Sequence, residues 1–136
     1  MITYRSGASV CEWVRERIPG IEAWMGQSIG FGIEIDGELQ AGVVYDGFSG
    51  TDINMHVVVE SLRAVNRKTL RAAFEFPFVT LKCQRVTGLV PSSNLAAQKF
   101  DEHLGFVLEG RKKNAFRNGD DELIYGLLKE NCRWIK

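Results

Sequence analysis

The sequence predicts a single α/β domain over residues 1–136, built on a mostly antiparallel, mixed sheet with one parallel crossover and about four flanking helices. Hydrophobic residues make up 45% of the chain and charged residues 25%, which is the balance of an ordinary globular domain. The spacing of apolar residues changes from helical to alternating and back, so helices and strands both occur. A chain of 136 residues is also long enough to bury a core without disulfides or metals.

The chain opens with a helical pattern. Pro19 and Gly20 end this first helix, and a short second helix is predicted over Ile21–Met25. Four apolar residues recur at i, i+3, i+4 and i+8 and therefore share the buried face of the first helix: Val10, Trp13, Val14 and Ile18.

Three strands are predicted next. Between Ile29 and Asp36, apolar residues alternate with glycine and acidic residues, which indicates a strand with one buried face. The dipeptide Asp36-Gly37 favours a type I′ hairpin, so the returning strand over residues 39–45 pairs with the first. After a turn at residues 47–50, a third strand is predicted over Asp52–Val59.

Helical spacing returns in the second half of the chain, and Pro77 ends the helix that begins near Leu70. Ser92 or Ser93 is expected to cap a further helix, and Gly105 is expected to end it. One β-α-β crossover between parallel strands follows from this order. The remaining elements are strands: Arg85–Val90, Phe106–Arg111 and Glu122–Leu128.

The net charge is zero, because 17 Lys and Arg balance 17 Asp and Glu. This total argues against a dedicated nucleic-acid binder or a membrane-surface protein. The charges are nevertheless split along the chain. Residues 1–59 carry three basic and eight acidic side chains, whereas residues 60–136 carry fourteen and nine. An acidic half followed by a basic half favours two different ligands.

The N-terminus and the cysteines favour a cytoplasmic protein without metal. Residues 1–7 lack the apolar region of a signal peptide, and no apolar run approaches the roughly 20 residues that span a bilayer. Cys11, Cys83 and Cys132 are odd in number and widely spaced. They indicate buried or free thiols in a reducing compartment rather than a zinc site or a disulfide framework.

The segment Asn94–Gly110, with the sequence NLAAQKFDEHLGFVLEG, resembles motif B of the GNAT-family N-acetyltransferases. That motif has an Asn, a small residue three positions later, an aromatic or aliphatic residue, and then Gly-Phe. The predicted element order is similar to that of the family over nearly the whole chain. Four further segments look like those of small phage-encoded members: the strand of His56, Asn66-Arg67-Lys68, Phe76-Pro77-Phe78 and Cys132-Arg133-Trp134.

The resemblance implies an enzyme that uses acetyl-coenzyme A as co-substrate. In the family, two parallel neighbouring strands splay apart in a V, and here they would be Asp52–Val59 and Arg85–Val90. The pantetheine arm of the cofactor would pair with the backbone of the first strand near Val57 and Val59. The resemblance also places the arm beside Asn94, with Ala97 and Phe100 packed against it.

The cofactor pyrophosphate would lie at the N-terminus of the next helix, where free N–H groups and the helix dipole favour an anion. Asn66 is the expected N-cap, and Arg67 and Lys68 add two cations that suit a bound phosphate. The chain departs from the family here, because the family's loop is rich in glycine and residues 60–69 contain none. Phosphate binding is therefore expected to depend on Arg63, Arg67 and Lys68, and loss of cofactor binding is the alternative.

A second departure concerns the proton donor. Many family members have, seven positions after the motif's Asn, a Tyr that protonates the departing thiolate, and this chain has Asp101 there. An ionised Asp cannot donate a proton unless burial raises its pKa. Solvent or Tyr125 is the alternative donor.

Transfer to an amine also needs a base, because an ammonium must lose a proton before its nitrogen attacks. Asp52, Asn54 and His56 alternate along the third predicted strand and therefore lie on one face. His56 has the appropriate ordinary pKa, so it is predicted to act as base or to hold a water, while Asp52 and Asn54 orient the acceptor. The alternative is a hydrogen-bonded structural histidine near the surface of the sheet.

Three functions remain open on the sequence. The favoured one is transfer of an acetyl group to a primary amine of a protein or small molecule. The resemblance also makes a homodimer an expectation, because members of the family are often dimers. The basic second half leaves a nucleic-acid-modifying relative as an alternative, and the basic run from Arg111 to Arg117 is its candidate contact. The loop without glycine leaves a catalytically degenerate interaction protein as the third.

Overall fold

The computed structural model describes residues 1–24 and 26–136. Among these residues, a seven-stranded sheet with the strand order β1-β2-β3-β4-β5-β7-β6 forms the centre of the molecule. Three α-helices flank it: α1 (Ala8–Arg17), α2 (Arg67–Glu75) and α3 (Leu95–Leu104). The strands are β1 (Ile2–Ser6), β2 (Ser28–Ile35), β3 (Glu38–Asp46), β4 (Asn54–Val59), β5 (Arg85–Pro91), β6 (Val107–Lys112) and β7 (Glu122–Leu128).

Neighbouring strands pair antiparallel everywhere except between β4 and β5, which run parallel. These two strands are in register only at Asn54–Thr87 and Met55–Gly88. Beyond those two pairs β4 and β5 diverge towards their C-terminal ends. The mixed, mostly antiparallel sheet and its V-shaped splay are therefore confirmed.

The helices cover the two faces of the sheet unequally. Helices α2 and α3 pack on one face over the main core, to which Met55, Phe74 and Leu104 belong. Helix α1 packs on the opposite face over β2, β3 and β4, where Val10, Val14 and Val44 form a smaller cluster. The splay between β4 and β5 consequently lies between α3 on one face and the segment after α1 on the other.

The glycines of β2 and β3 lie beneath α1, and this differs from the expected strand with one buried face. A Cβ atom at Gly42 would lie 2.6 Å from a methyl carbon of Val14, and one at Gly32 would lie 3.1 Å from a methyl carbon of Val10. The glycines therefore let the helix approach the sheet more closely than any side chain would allow. Both faces of β2 are covered in consequence.

The first 27 residues contain two further differences from the sequence-based expectation. Strand β1 was not expected, because its apolar alternation consists of only Ile2 and Tyr4, and all five of its residues are exposed. The short helix expected over Ile21–Met25 is wrong for residues 21–24, which have no helical structure, and Met25 lies outside the described residues. Pro19 and Gly20 form a turn instead, and Trp24 then packs against the cluster beneath α1.

Local signals correctly located most other boundaries. Asp36 and Gly37 have φ angles of 53° and 86°, as a type I′ turn requires. Gly105 ends α3 in the left-handed conformation. The expectation that Pro77 ends the preceding helix is wrong: α2 ends at Glu75, but a π-helical turn over Phe76–Thr80 continues the helical path through Pro77, whose missing N–H is tolerated in the first turn of that segment. The expected cap of α3 is wrong: Asn94 is the N-cap and accepts a hydrogen bond from the Ala97 amide, whereas Ser92 and Ser93 bind the loop before β7.

The C-terminal segment packs against the body of the domain. The Trp134 side chain is buried in the main core, and its indole N–H donates to the Leu104 carbonyl. Cys11, Cys83 and Cys132 are buried and free of disulfides. In the described part of the chain, no helix is both long and apolar enough to cross a membrane.

Candidate active site

A narrow cleft of about 50 Å³ lies where β4 and β5 diverge. We call it the splay cleft. It has room for a few water molecules or for an extended chain, but not for a bulky group. Its walls come from β4, β5, α3 and the end of α1, and they are formed by Ile18, Met55, His56, Val57, Leu89, Val90, Pro91, Asn94, Ala97, Phe100 and Asp101.

His56 lines the splay cleft and is only 8% exposed. Its Nε2 lies 3.0 Å from Oδ1 of Asp46, and the ring of Trp24 lies over it with the centroids 4.8 Å apart. Its Nδ1 is buried and has no hydrogen-bond partner among the described residues. When the Asp46 carboxylate accepts from Nε2–H, Nδ1 carries the lone pair, which is the arrangement a general base needs.

Asp46 is the residue that sequence reasoning missed. It is 2% exposed and lies at the end of β3, where Asn54 is its directly paired residue. Because Val44 pairs with His56, Asp46 is the diagonal neighbour of His56 on the same face. An acidic residue at the end of a predicted buried strand was the signal that could have identified it.

Asn54 lies on the same face of β4 as His56, whereas Asp52 precedes the strand, which begins at Asn54 rather than at the predicted Asp52; the contact of His56 Nε2 is with Asp46 instead. The Thr87 hydroxyl donates to Asp52 Oδ1 at 2.9 Å, and Arg85 Nε lies 3.5 Å from the same oxygen. Four residues along a strand span about 13 Å, so the Asp52 carboxylate is remote from the His56 ring. The role of Asp52 and Asn54 in orienting an acceptor stays a prediction.

The edge of β4 that faces the splay offers unpaired backbone. The Thr87 N–H donates to the Ile53 carbonyl, so the odd-numbered residues from position 53 onwards direct their backbone groups towards β5. The ladder to β5 stops at Met55. The backbone groups of Val57 and Val59 therefore face the splay beyond the last paired residue, at the positions predicted for the pantetheine arm.

The N-terminus of α2 is closed by its own side chains. Asn66 accepts from the Thr69 amide at 2.9 Å, and the Thr69 hydroxyl accepts from the Asn66 amide at 3.0 Å, which makes a capping box. Arg67 and Lys68 occupy the first turn and are exposed. Neither side chain forms an ion pair with any described residue, so both cations are available to an anion.

The loop before α2 is ordered without glycine. Residues 62–64 form a 3-10 turn in which the Ser61 hydroxyl accepts from the Arg63 amide. The amides of Glu60 and Ser61 both donate to the Gln40 carbonyl, which fixes the loop to β3. Arg17 Nε donates to the Glu60 carboxylate at 2.9 Å, so the negative charge of Glu60 is balanced. Arg63 belongs to this turn, and its side chain is exposed.

Helix α3 forms the far wall of the splay cleft. Asn94 both caps the helix and lines the cleft. Its role as N-cap is therefore compatible with the predicted position of the pantetheine arm beside it. Ala97 and Phe100 follow on the same wall, and both pack against the main core. Three of the residues predicted from motif B thus lie in one cleft with His56 and Val57.

Asp101 is a buried carboxyl at the narrow end of the splay. A Cβ atom at Gly88 would lie 2.8 Å from Asp101 Oδ2, so only glycine at the last paired position of β5 admits this carboxyl. Burial raises the pKa of Asp101 to about 7, and the charge of Glu102 adds to the effect. Burial, assisted by Glu102 and Asp101, also raises the pKa of Tyr125. Asp101 is therefore able to hold a proton near neutral pH.

The basic run from Arg111 to Arg117 is largely paired with carboxylates. Arg111 and Lys113 both contact Asp121, and Lys112 contacts Glu122 across the β6–β7 hairpin. Arg117 contacts Glu22. These cations are consequently less available to nucleic acid than the sequence alone indicates. No group of three or more His, Cys, Asp or Glu that could hold a metal ion occurs among the described residues.

Solved structures with the same fold are GNAT-type acetyltransferases. Spermidine N-acetyltransferase from Vibrio cholerae, in complex with CoA and spermine, superposes with a TM-score of 0.73 at 14% identity, over 99% of this chain and 98% of that chain. A GNAT-family acetyltransferase from Bacillus anthracis gives a TM-score of 0.60 at 21% identity, over 74% of this chain and 66% of that chain.

A third structure, named a probable acetyltransferase, gives a TM-score of 0.66 at 20% identity and covers 77% of this chain. This chain spans 63% of the length of that protein. No protein-family model and no curated protein matches the sequence. At these identities the comparisons establish the fold: a central mixed sheet with the acetyltransferase arrangement of strands and helices.

Proposed function

We propose that this chain is an N-acetyltransferase that transfers an acetyl group from acetyl-coenzyme A to a primary amine. The observation that carries the proposal is the splay cleft. It combines an unpaired strand edge at Val57 with a buried histidine nitrogen that lacks a partner and a buried carboxyl at Asp101. An interaction protein of this fold would need none of these three features.

The residues around the splay fit acetyl-coenzyme A. The free backbone of Val57 and Val59 suits an extended amide-containing arm, which would add a short strand segment to β4. Arg67, Lys68 and Arg63 are cations near the α2 N-terminus, where the helix dipole also favours phosphate. Their side chains would replace the loop glycines in holding the pyrophosphate. When bound, the cofactor supplies the activated acetyl group.

His56 would accept the proton of the attacking amine. An ammonium must become neutral before its nitrogen attacks the thioester carbon, and Nδ1 is the His56 nitrogen that remains free to take that proton. Asp46 holds Nε2–H and stabilises the imidazolium that forms. A water between the amine and Nδ1 would serve the same purpose where the acceptor does not reach the ring.

Asp101 would return a proton to the sulfur. As the new N–C bond forms and the C–S bond breaks, the thiolate that leaves needs a proton, and a carboxyl with a pKa of about 7 is partly protonated at neutral pH. The nitrogen would release its second proton to solvent as the adduct collapses to the amide, and Asp101 would recover its proton from solvent after the products leave. Asp101 therefore takes the position that a Tyr occupies in many members of the family.

Binding of the cofactor is the first test. Titration calorimetry with acetyl-coenzyme A should give a dissociation constant below 1 mM for the full chain, and the double variant Arg67→Gln/Lys68→Gln should weaken binding about 10- to 100-fold. The control variant Lys99→Gln/Lys129→Gln removes the same charge from exposed positions outside the α2 N-terminus and should bind normally.

Absence of binding at millimolar acetyl-coenzyme A would reject the proposal in favour of an interaction protein. Equal affinities for the two double variants would reject the phosphate role of Arg67 and Lys68. The acceptor is a protein or a small molecule on present grounds, and the spermine bound in the Vibrio cholerae structure makes a polycationic amine a reasonable first assay substrate.

A further inference from the structure

We infer that the acceptor is a small aliphatic amine with a second positive charge, and that Asp120 holds that charge in a cavity beside the splay cleft. The inference rests on the proposed function, because it assigns a substrate class to the same site. The cavity has a volume of about 390 Å³, which suits a ligand of several carbon and nitrogen atoms. We call it the acceptor cavity, and it is lined by Pro19, Pro91, Ser93, Asn94, Phe116, Asn118 and Asp120.

The acceptor cavity adjoins the splay cleft. Pro91 and Asn94 line both, so a molecule in the cavity needs to pass only the junction of β5 and α3 to reach the cleft that holds His56 and Asp101. Its other walls are the turn after α1 and the β6–β7 loop. The unpartnered Nδ1 of His56, in the adjoining cleft, indicates independently that a polar ligand atom belongs there.

Asp120 supplies a negative charge that no cation balances. Asp121 is paired with Arg111 and Lys113, and Glu22 is paired with Arg117. Asp120 forms no ion pair with any residue in the described ranges 1–24 and 26–136. Its Oδ2 accepts hydrogen bonds from Ser93 and Asn118, and a carboxylate has about four acceptor sites, so capacity remains for an ammonium.

The lining favours a cation over an anion. Among the described residues that line the acceptor cavity, none is Lys or Arg, and Phe116 is the one aromatic side chain. An aromatic ring attracts an ammonium electrostatically. Phe116 packs closely on Gly20, since a Cβ there would lie 3.1 Å from the ring. The two walls of the cavity are thereby held together.

The loop that carries Asp120 is already built for binding. The amides of Ala115 and Phe116 both donate to the Asp120 carbonyl, and the Asp120 amide donates to the Asn118 side chain. The carboxylate therefore keeps its position without a ligand. A binding group that is fixed in advance loses less freedom when the ligand arrives.

Proton balance determines which nitrogen Asp120 binds. The attacking nitrogen must lose its proton to His56 before the N–C bond forms, so it cannot be the cation that Asp120 holds. The charge at Asp120 must belong to a second nitrogen, which stays protonated throughout. A linear diamine or polyamine has both nitrogens, one for attack and one for binding, whereas a simple monoamine lacks the second.

The test compares 1,4-diaminobutane with 1-aminobutane as acceptors for the full chain with acetyl-coenzyme A. The wild type should show a kcat/KM at least tenfold higher for the diamine. Asp120→Asn should raise the KM for the diamine about 10- to 100-fold and leave the monoamine unchanged, since asparagine keeps the acceptor oxygen for Ser93. The control Glu22→Gln removes a carboxylate that Arg117 already balances and that does not line the cavity, and it should behave as wild type.

Calorimetry of 1,4-diaminobutane, with and without saturating coenzyme A, provides a second measurement that needs no turnover. Equal kcat/KM values for the two amines, or an unchanged KM in Asp120→Asn, would overturn the inference while leaving an active acetyltransferase. A wild type that binds coenzyme A but no diamine would also overturn it. Failure to bind acetyl-coenzyme A would instead reject the proposed function, so the two failures are distinguishable.

Discussion

At the scale of single residues, the pair of His56 and Asp46 is the most consequential contact. Replacing Asp46 by Asn lets the new amide donate to Nε2, which moves the ring proton to Nδ1 and removes the free lone pair. Asp46→Asn should therefore lower kcat/KM about 10- to 100-fold, and His56→Gln about 100-fold or more. In the wild type, kcat/KM should rise with pH as His56 becomes neutral. Steady-state kinetics across pH 5.5–9 should show that this rise in kcat/KM is lost or displaced in Asp46→Asn.

A purely structural role for Asp46 would give a different result. Asp46→Asn would then lower thermal stability while keeping the pH profile of the wild type. Glu38→Gln removes an exposed carboxylate from the other end of the same strand and is the matched control. Acetyl-coenzyme A affinity, measured on each variant, separates a loss of folding from a loss of proton transfer.

The raised pKa of Asp101 predicts that the free energy of unfolding depends on pH. Its pKa is about 7 in the folded protein, above the ordinary value of 3.8. The folded state therefore binds this proton more tightly than the unfolded state, and the associated stability is present at pH 4 and lost as pH rises to 7. Asp101→Asn cannot ionise, so it should stabilise the protein relative to wild type at pH 8 by up to about 4 kcal/mol.

Urea unfolding at pH 4.5 and pH 8 measures this difference. The stabilisation in Asp101→Asn should be much smaller at the lower pH, where both carboxyl and amide are neutral. Equal effects at the two pH values would contradict a raised pKa. The same variant should lose most of its activity, because asparagine has no proton to give to the thiolate, and Glu130→Gln, which removes an exposed carboxylate away from the splay, is the control.

At the scale of elements, the close approach of α1 to the sheet depends on Gly42. An added Cβ would lie 2.6 Å from Val14 and 3.3 Å from Trp13, so Gly42→Ala must push the helix away. Overpacking of this kind costs about 1–3 kcal/mol. Urea unfolding should show that loss, and the smaller side chain in Gly42→Ala/Val14→Ala should relieve the overlap at this contact.

Gly110→Ala is the control for this substitution. Its Cβ would meet only Ile124, at an ordinary 3.7 Å, and Gly110 lies in the edge strand β6. The expected change is within about 0.5 kcal/mol. If Gly42→Ala were equally mild, the glycines of the central strands would have no packing role beneath α1.

The elements that local signals specify were predictable from the sequence. Asp36-Gly37 and Gly105 act through their own φ angles, and the Asn66 cap acts within one turn of α2. Strand β1 was not predictable, because its residues are held by pairing with β2 and bury no face of their own. The same reason explains Asp46: its partner His56 is a neighbour only through the register of two strands.

In the candidate site, too, some features were predictable from the sequence and others depend on tertiary packing. Motif B and the strand of His56 identified one wall each of the splay cleft from the sequence. The state of Asp101 was not predictable, because it depends on how closely α3 packs on Gly88 of β5, where the absence of a Cβ leaves room for the carboxyl. Nor does composition show that the basic run after Arg111 meets carboxylates across its own hairpin.

At the scale of the whole molecule, the charge split takes on a more specific meaning. Among the described residues, three ion pairs connect the two halves, and two of them, Asp52–Arg85 and Glu22–Arg117, join an acid of the first half to a base of the second. Part of the split is therefore internal compensation within the fold. In the same described part of the chain, the cations around the α2 N-terminus that have no ion pair are Arg63, Arg67 and Lys68, and the carboxylate of the acceptor cavity that has none is Asp120. Function, on this view, depends on a few unpaired charges rather than on the totals.

The ladder at the centre of the sheet is short. In the described part of the chain, β4 and β5 pair only at Asn54–Thr87 and Met55–Gly88, and the further backbone hydrogen bonds from Gln84, Arg85 and Thr87 lie on the side away from the splay. A ligand that pairs with β4 inside the splay would bridge the two parts of the sheet. Binding of coenzyme A in the splay should therefore stabilise the fold. By mass action, ligand at one hundred times its dissociation constant adds about 2.7 kcal/mol to the free energy of unfolding.

Hydrogen exchange locates that stabilisation within β4. The amides of Val57 and Val59 face the splay, whereas the Val58 amide faces β3 and is already in the β3–β4 ladder. Coenzyme A should therefore slow exchange at Val57 and Val59 far more than at Val58, which is an internal control one residue away. A uniform slowing of all three would indicate global stabilisation without pairing to the strand. No slowing at saturating ligand would place the cofactor somewhere other than the splay.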